Sequence, residues 1–118
     1  MSPRIIRYRK PSSVRQSDEL CRFISCCKNE WLRNKVDEVL SQLSEDYGLG
    51  GKIPKERWSR HARYYVKRWG VRNIYECRLG PDRRLTYTLV SEGAGIAVVA
   101  LEILTHKEYD RLFGYRTT

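Results

Sequence analysis

Leu20, Phe23, Ile24 and Cys27 recur at i, i+3, i+4 and i+7, the spacing that lines apolar side chains along one side of an α-helix. Ser12, Ser13 and Ser17 stand just upstream and offer N-caps. Trp31, Val36, Val39, Leu40 and Leu43 continue a helical stripe, and Lys28 with Asn29 marks a break between two helices. Residues 12–47 are therefore predicted as a hairpin of two antiparallel helices. Before it, "RIIRYRK" at 4–10 is rich in β-formers and charge, which predicts a first strand at a sheet edge, stopped by Pro11.

The glycines of "GLGG" at 48–51 end the helical part, and the segment 52–72, with Pro54, is expected to be irregular or partly helical. From Asn73 the period changes to two. Ile74–Leu79 reads as a strand, "GPD" at 80–82 as a tight turn, and Arg83–Val90 as the hairpin partner. In that partner Leu85, Tyr87 and Leu89 alternate with Arg84, Thr86 and Thr88, so one sheet face is expected to be packed and the other polar. "IAVVALEIL" is almost continuously apolar, as suits a strand covered on both faces. Residues 107–113 read as a short helix or turn. Together these elements predict an α+β fold in one domain: an N-terminal edge strand and helical hairpin, then an antiparallel β-meander over 73–106 and a C-terminal tail over 107–118.

Charge adds direction to this outline. Across 118 residues, 23 Lys and Arg stand against 14 Asp and Glu, a formal net charge of +9 that favours a polyanionic partner. The excess sits in two places. Residues 1–10 hold four basic and no acidic side chains, and residues 52–72 hold eight basic side chains and only Glu56. Within 52–72 the cations interleave with Trp58, Tyr64, Tyr65 and Trp69. Such a stretch suits single-stranded nucleic acid, whose phosphates need cations and whose bases need stacking surfaces. The same aromatics would equally serve to anchor a solvated basic segment to the core. Arg60, His61, Arg63, Lys67, Arg68 and Arg72 are the candidate RNA contacts here, with Arg83 beside the predicted turn.

No run of eighteen apolar residues occurs and "MSPRIIRYRK" has no signal-like apolar stretch, so a cytoplasmic protein without a membrane partner is expected. Cys21, Cys26, Cys27 and Cys77 match neither a zinc knuckle nor a secreted disulfide framework, and are expected to be buried thiols; a disulfide would require the exceptional cytosol of a hyperthermophile. On the polar side of the hairpin, Arg78 and Arg84 would lie near one another and could hold a phosphate, or pair with Glu76 and Asp82 as surface ion pairs. His106, at the end of the apolar strand, could exchange protons near neutral pH or simply cap the rim, and Tyr109 could stack or act as a weak acid.

In order, the helical hairpin, "IYECRLGPDRRLTYTLV", "IAVVALEIL" and "THKEYDRLFGY" resemble the RelE/ParE superfamily of type II toxins. "RRLTY" at 83–87 is similar to the family's "YRLVY" or "HRLIY" strand motif through Arg84, Leu85 and Tyr87, and "THKEYDRL" resembles the "THAEYDK" ending of the HigB branch. This resemblance implies a RelE-like fold and a ribosome-dependent mRNA endonuclease, held in check by a cognate antitoxin protein, needing no metal or small-molecule cofactor. It implies that the ribose 2′-hydroxyl attacks the adjacent phosphate, with Arg84 holding that phosphate, Arg78 assisting, His106 exchanging protons, Lys107 balancing charge and Tyr109 stacking or donating. Phe113 and Tyr115 compete with Tyr109 for the family's terminal aromatic position. A non-catalytic RNA-binding member, or a ParE-like one directed at gyrase, is the alternative.

Overall fold

The computed structural model describes residues 9–114, which form an α+β fold with a five-stranded mixed sheet and four α-helices. Strand β1 is Ser13–Gln16, helix α1 Asp18–Cys26, α2 Glu30–Leu43, and β2 the two residues Gly51–Lys52. Two 3-10 turns, Lys55–Arg57 and Arg60–Ala62, lead into α3, Arg63–Trp69. Strands β3 (Tyr75–Arg78), β4 (Arg83–Glu92) and β5 (Gly95–Thr105) follow, and α4 (His106–Phe113) closes the chain.

The predicted strand at 4–10 falls largely outside the described residues. Arg9 and Lys10 are not in a strand; they bind Asp46 and Glu45. The first described strand comes after Pro11 rather than before it, and it runs parallel to β5, with Ser13 opposite Ala97 and Gln16 opposite Ala100. Sheet order is β1-β5-β4-β3-β2, so β5 and β4 are interior. The serines near 12–17 divide their labour: Ser13 belongs to β1, and Ser17 caps α1. Ser17 Oγ accepts from Leu20 N at 3.0 Å and donates to the Leu101 carbonyl, while its N–H bonds Ala100 O. One side chain thereby satisfies a helix end and fixes that end to the interior strand β5.

The break predicted at Lys28–Asn29 is a cap: Asn29 Oδ1 accepts from Leu32 N at 3.0 Å. From there Leu32, Val36, Val39 and Leu43 fall on one stripe of α2 and are buried against Cys77, Leu79, Leu85 and Tyr87 of the sheet. Gly50 sits where backbone must come close. A side chain there would meet Glu76 O at 2.4 Å and the Tyr87 ring at 2.9 Å, and the Tyr87 hydroxyl instead accepts from Gly50 N–H.

Two sequence expectations are corrected here. The face of β4 expected to be polar is covered: Thr86 and Thr88 are buried and Arg84 is 9% exposed. A second core cluster lies over it, built from Ile53, Tyr65, Ile74, Leu101, Tyr109 and Phe113, so the sheet is the middle of three layers. Threonine packs like valine once its hydroxyl is bonded, and both hydroxyls are: Thr86 Oγ1 lies 2.9 Å from the Tyr65 hydroxyl, and Thr88 Oγ1 donates to Asn73 O at 2.7 Å. The thiols are the other correction. Cys77 is buried, but Cys21 and Cys26 are exposed and Cys27 half-buried, all free. Leu20 and Ile24 carry the inward stripe of α1, and at 100° per residue Cys21 and Cys26 turn away from it.

Candidate active site

Residues Arg83–Arg84 begin β4 beside the start of α4, because Arg83 pairs across the sheet with Thr105 and Arg84 with Leu104. On the other side Arg84 stands directly opposite Arg78 of β3. Its guanidinium is nearly enclosed. Nη1 donates to Glu76 Oε1 at 3.2 Å, and the guanidinium carbon lies 4.5 Å from the centre of the Tyr109 ring. A buried cation requires such partners, a carboxylate for its charge and a ring face for its plane. No other side-chain hydrogen bond from Arg84 forms within the described residues. Its remaining guanidinium donors have no protein partner among the described residues, in the fork that matches phosphate oxygens, and 9% of the residue is exposed.

Tyr109 is buried at 4% exposure, and its phenol is raised above the ordinary tyrosine range, chiefly by burial and next by the nearby Glu76 charge. Arg57 and Arg84 pull partly the other way. The phenol is therefore protonated at neutral pH, able to donate a proton or hydrogen bond but not to serve as a base. Arg57 enters this group from the first 3-10 turn, its Nε donating to Phe113 O at 3.4 Å. Sequence reading missed it, because an irregular segment carries no periodicity from which to place a side chain.

"THKEYDRL" divides into structural and outward-facing parts. Thr105 and Glu108 form a reciprocal capping box: Glu108 N donates to Thr105 Oγ1 at 3.1 Å and Thr105 N to Glu108 Oε1 at 2.8 Å. Tyr109, Leu112 and Phe113 are buried, while His106, Lys107, Asp110 and Arg111 are exposed. Phe113 is fully enclosed against Tyr65, which leaves Tyr109 as the ring that meets Arg84; Tyr115 lies outside the described residues. His106 Nε2 lies 3.4 Å from Asp110 Oδ2, and the His106 backbone N–H donates to Asp82 O. The structure thus brings Arg84, Arg78 and Tyr109 together with Glu76 and Arg57. His106 and Lys107 stand on the rim, and among the described residues no hydrogen bond or ion pair joins either to Arg84. Of the ion pairs weighed from sequence, Arg84 pairs with Glu76, but in the interior rather than at the surface, and it is Arg83 that pairs with Asp82, at 3.1 Å at the turn. Arg78 is exposed.

In the basic segment the aromatics reach toward the core and the cations face outward. Tyr65 is fully buried, and Tyr64, Trp58 and Trp69 are half-buried. Trp58 Nε1 donates to Ile53 O and the Tyr64 hydroxyl to Glu102 Oε2 at 2.5 Å. Arg60, His61, Arg63, Lys67, Arg68 and Arg72 are all exposed. Arg68 packs on Tyr64 and Trp69 and reaches Glu19 at 3.5 Å. Among the described residues no group of three His, Cys, Asp or Glu side chains is placed to hold a metal ion, and no helix is long and apolar enough to cross a membrane. Comparison of the chain with protein-family models, with curated proteins and with solved structures gives no match. The chemistry is accordingly argued from this chain's own residues.

Proposed function

We propose that this protein is a type II toxin of the RelE/ParE kind that cleaves mRNA on the ribosome by attack of a ribose 2′-hydroxyl on the adjacent phosphate, and that an antitoxin protein restrains it. The observation that carries this reading is the Arg84 guanidinium, fixed between Glu76 and the Tyr109 ring with Arg78 opposite. Element order supports it as well: strand, two helices, a three-stranded antiparallel meander, then a helix, with Arg84 in the middle strand and Tyr109 in the helix.

In this reading the phosphate approaches Arg84 and Arg78, whose charge stabilises the pentacoordinate phosphorus as negative charge accumulates on its oxygens. The 2′-hydroxyl loses its proton as its oxygen bonds to phosphorus. His106 takes up that proton and returns it to the 5′-oxygen as the bond from that oxygen to phosphorus breaks, leaving a 2′,3′-cyclic phosphate and a 5′-hydroxyl. His106 on the rim is the group suited to proton exchange, with Asp110 Oδ2 3.4 Å from its Nε2. Tyr109 is a positioning residue that holds the plane of Arg84. Preorganised donors of this sort are worth on the order of 100- to 1,000-fold in rate.

Expression of the wild type without antitoxin is expected to arrest growth, and Arg84→Ala and His106→Ala are expected to relieve it. Arrest that persists unchanged in both variants would sink the nuclease reading. One observation favours the non-catalytic alternative, RNA binding or a ParE-like action on gyrase: His106 is turned toward Asp110 rather than toward Arg84. Relief by Arg84→Ala but not by His106→Ala would leave the arginine site intact and remove the histidine from the chemistry.

A further inference from the structure

Three hollows run along the basic segment, and their linings differ in charge. The first, about 260 Å³, includes Glu102 and Glu108, and the second, about 520 Å³, includes Glu56 and Asp110. The third, about 390 Å³, is lined by Lys55, Arg60 and Arg63 with Trp58, Ser59 and Val66, and no acidic side chain lines it. Its volume lies within the range of small-ligand clefts, roughly 300–1,000 Å³. None of the three cations forms an ion pair among the described residues. Cations gathered without a counter-charge repel one another, a cost that a bound anion removes.

The indole adds a second recognition element. Trp58 is held by the bond from its Nε1 to Ile53 O, so its ring is preorganised, and Lys55 Nζ lies 5.9 Å from the ring centre. The hollow also leads toward the candidate site. Trp58 and Ser59 line both it and the second hollow, which Arg57 lines in turn, and Arg57 bonds Phe113 O beside Tyr109.

We infer that the Lys55–Arg63 hollow is a nucleotide subsite that takes one unpaired residue of single-stranded RNA, flanking the nucleotide at Arg84. Its phosphate lies among Lys55, Arg60 and Arg63, and its base stacks on Trp58 in the place that the Lys55 ammonium holds in the free protein. An acidic peptide would satisfy the cations but would leave the indole unused, which is why RNA is the occupant chosen. The choice of RNA rests on the proposed nuclease reading, but the site itself is tested without a ribosome or any cleavage.

The experiment is titration of the full chain with a uridine hexanucleotide across 50–200 mM salt. For Arg60→Ser/Arg63→Ser, loss of the one phosphate contact is expected to flatten the slope of log affinity against log salt by about 0.7, the value for one single-strand phosphate. Lys67→Ser/Arg72→Ser removes the same charge outside the hollow and is expected to flatten it by less than half as much. Both pairs of side chains are exposed, so neither double variant removes core packing. Equal slopes for the two double variants would overturn the subsite and leave only a diffuse positive field. A hexaglutamate peptide that displaces the RNA at equal concentration would also overturn it, by showing a site for any polyanion. If the titration succeeds and ribosomes still yield no cuts, the nuclease reading fails while the subsite stands.

Discussion

The two faces of the sheet are built by different rules. Under α1 and α2 the contacts are almost wholly apolar, with Leu32, Val36, Val39 and Leu43 meeting Leu79, Leu85 and Val98. Under the basic segment and α4 the sheet presents Arg84, Thr86, Thr88 and Glu76, each matched by a specific partner. Apolar packing needs only volume and shape, so the first face tolerates any arrangement that fills it. The second depends on individual hydrogen bonds, because a buried polar group that loses its partner costs more than the bond was worth. Both faces carry a core, but the candidate chemistry lies on the second, and the strand β4 contributes to both.

Adjacent residues on β4 give the sharpest way to break this contrast. Leu85 is fully buried on the apolar face, and Leu85→Ala is expected to cost about 2–5 kcal/mol, read from the midpoint of urea unfolding. RNA cutting per folded molecule is expected to be unchanged. Arg84→Ala, one residue away, is expected to lower cutting by about 100- to 1,000-fold while costing stability only about 1–3 kcal/mol for the half-buried Glu76 left behind. If Leu85→Ala slowed cutting as much as Arg84→Ala, the two faces would not be separable.

A smaller effect tests the polar face alone. Tyr65→Phe keeps the ring against Phe113 and Trp69 but removes the hydroxyl beside Thr86, and about 1 kcal/mol should be lost without change in the urea dependence. A neutral result would mean that Thr86, which also donates to Glu102 O at 3.3 Å, needs no second partner.

The smallest expected effect lies at the surface, away from both faces. Asp46 accepts two hydrogen bonds from Arg9 and one from Gly48 N, and Arg9 holds its carboxyl below the ordinary aspartate range. A group depressed on folding stabilises at pH values above its unfolded value, about 3.9, and that contribution disappears as pH falls through the folded value. Asp46→Asn should therefore narrow the stability difference between pH 6 and pH 3, as thermal unfolding at the two pH values would show. An unchanged difference would mean that exposure to solvent already screens the pair.

Much of the helix face could be read from residue order. Val36, Val39 and Leu43 of the α2 stripe, the cap at Ser17, the break at Asn29 and the doubly covered β5 follow from spacing and capping chemistry, which are local, whereas Trp31 and Phe23, expected on the stripes, are exposed and Leu32 takes the inward place. The other face was less legible because its determinants are long-range. Thr86 and Thr88 count as polar in any pattern, and only Tyr65 and Asn73, brought from 21 and 15 residues away, make their burial satisfactory. β1 could not be placed from its own residues, since its partner is 84 residues distant. Of the candidate site, the meeting of Arg78 with Arg84 followed from hairpin register, but Arg57 and the outward turn of His106 did not. The first comes from an irregular segment, and the second is set by the capping box, whose Thr105 and Glu108 make half of the motif a helix start.

The most direct test of the Arg84 site is to identify the ends of an mRNA incubated with purified ribosomes and this protein. The wild type is expected to leave 2′,3′-cyclic phosphate and 5′-hydroxyl ends, only when ribosomes are present, and Arg84→Ala is expected to leave none. Ends of that kind appearing equally with Arg84→Ala, or an mRNA left whole by the wild type, would contradict the account.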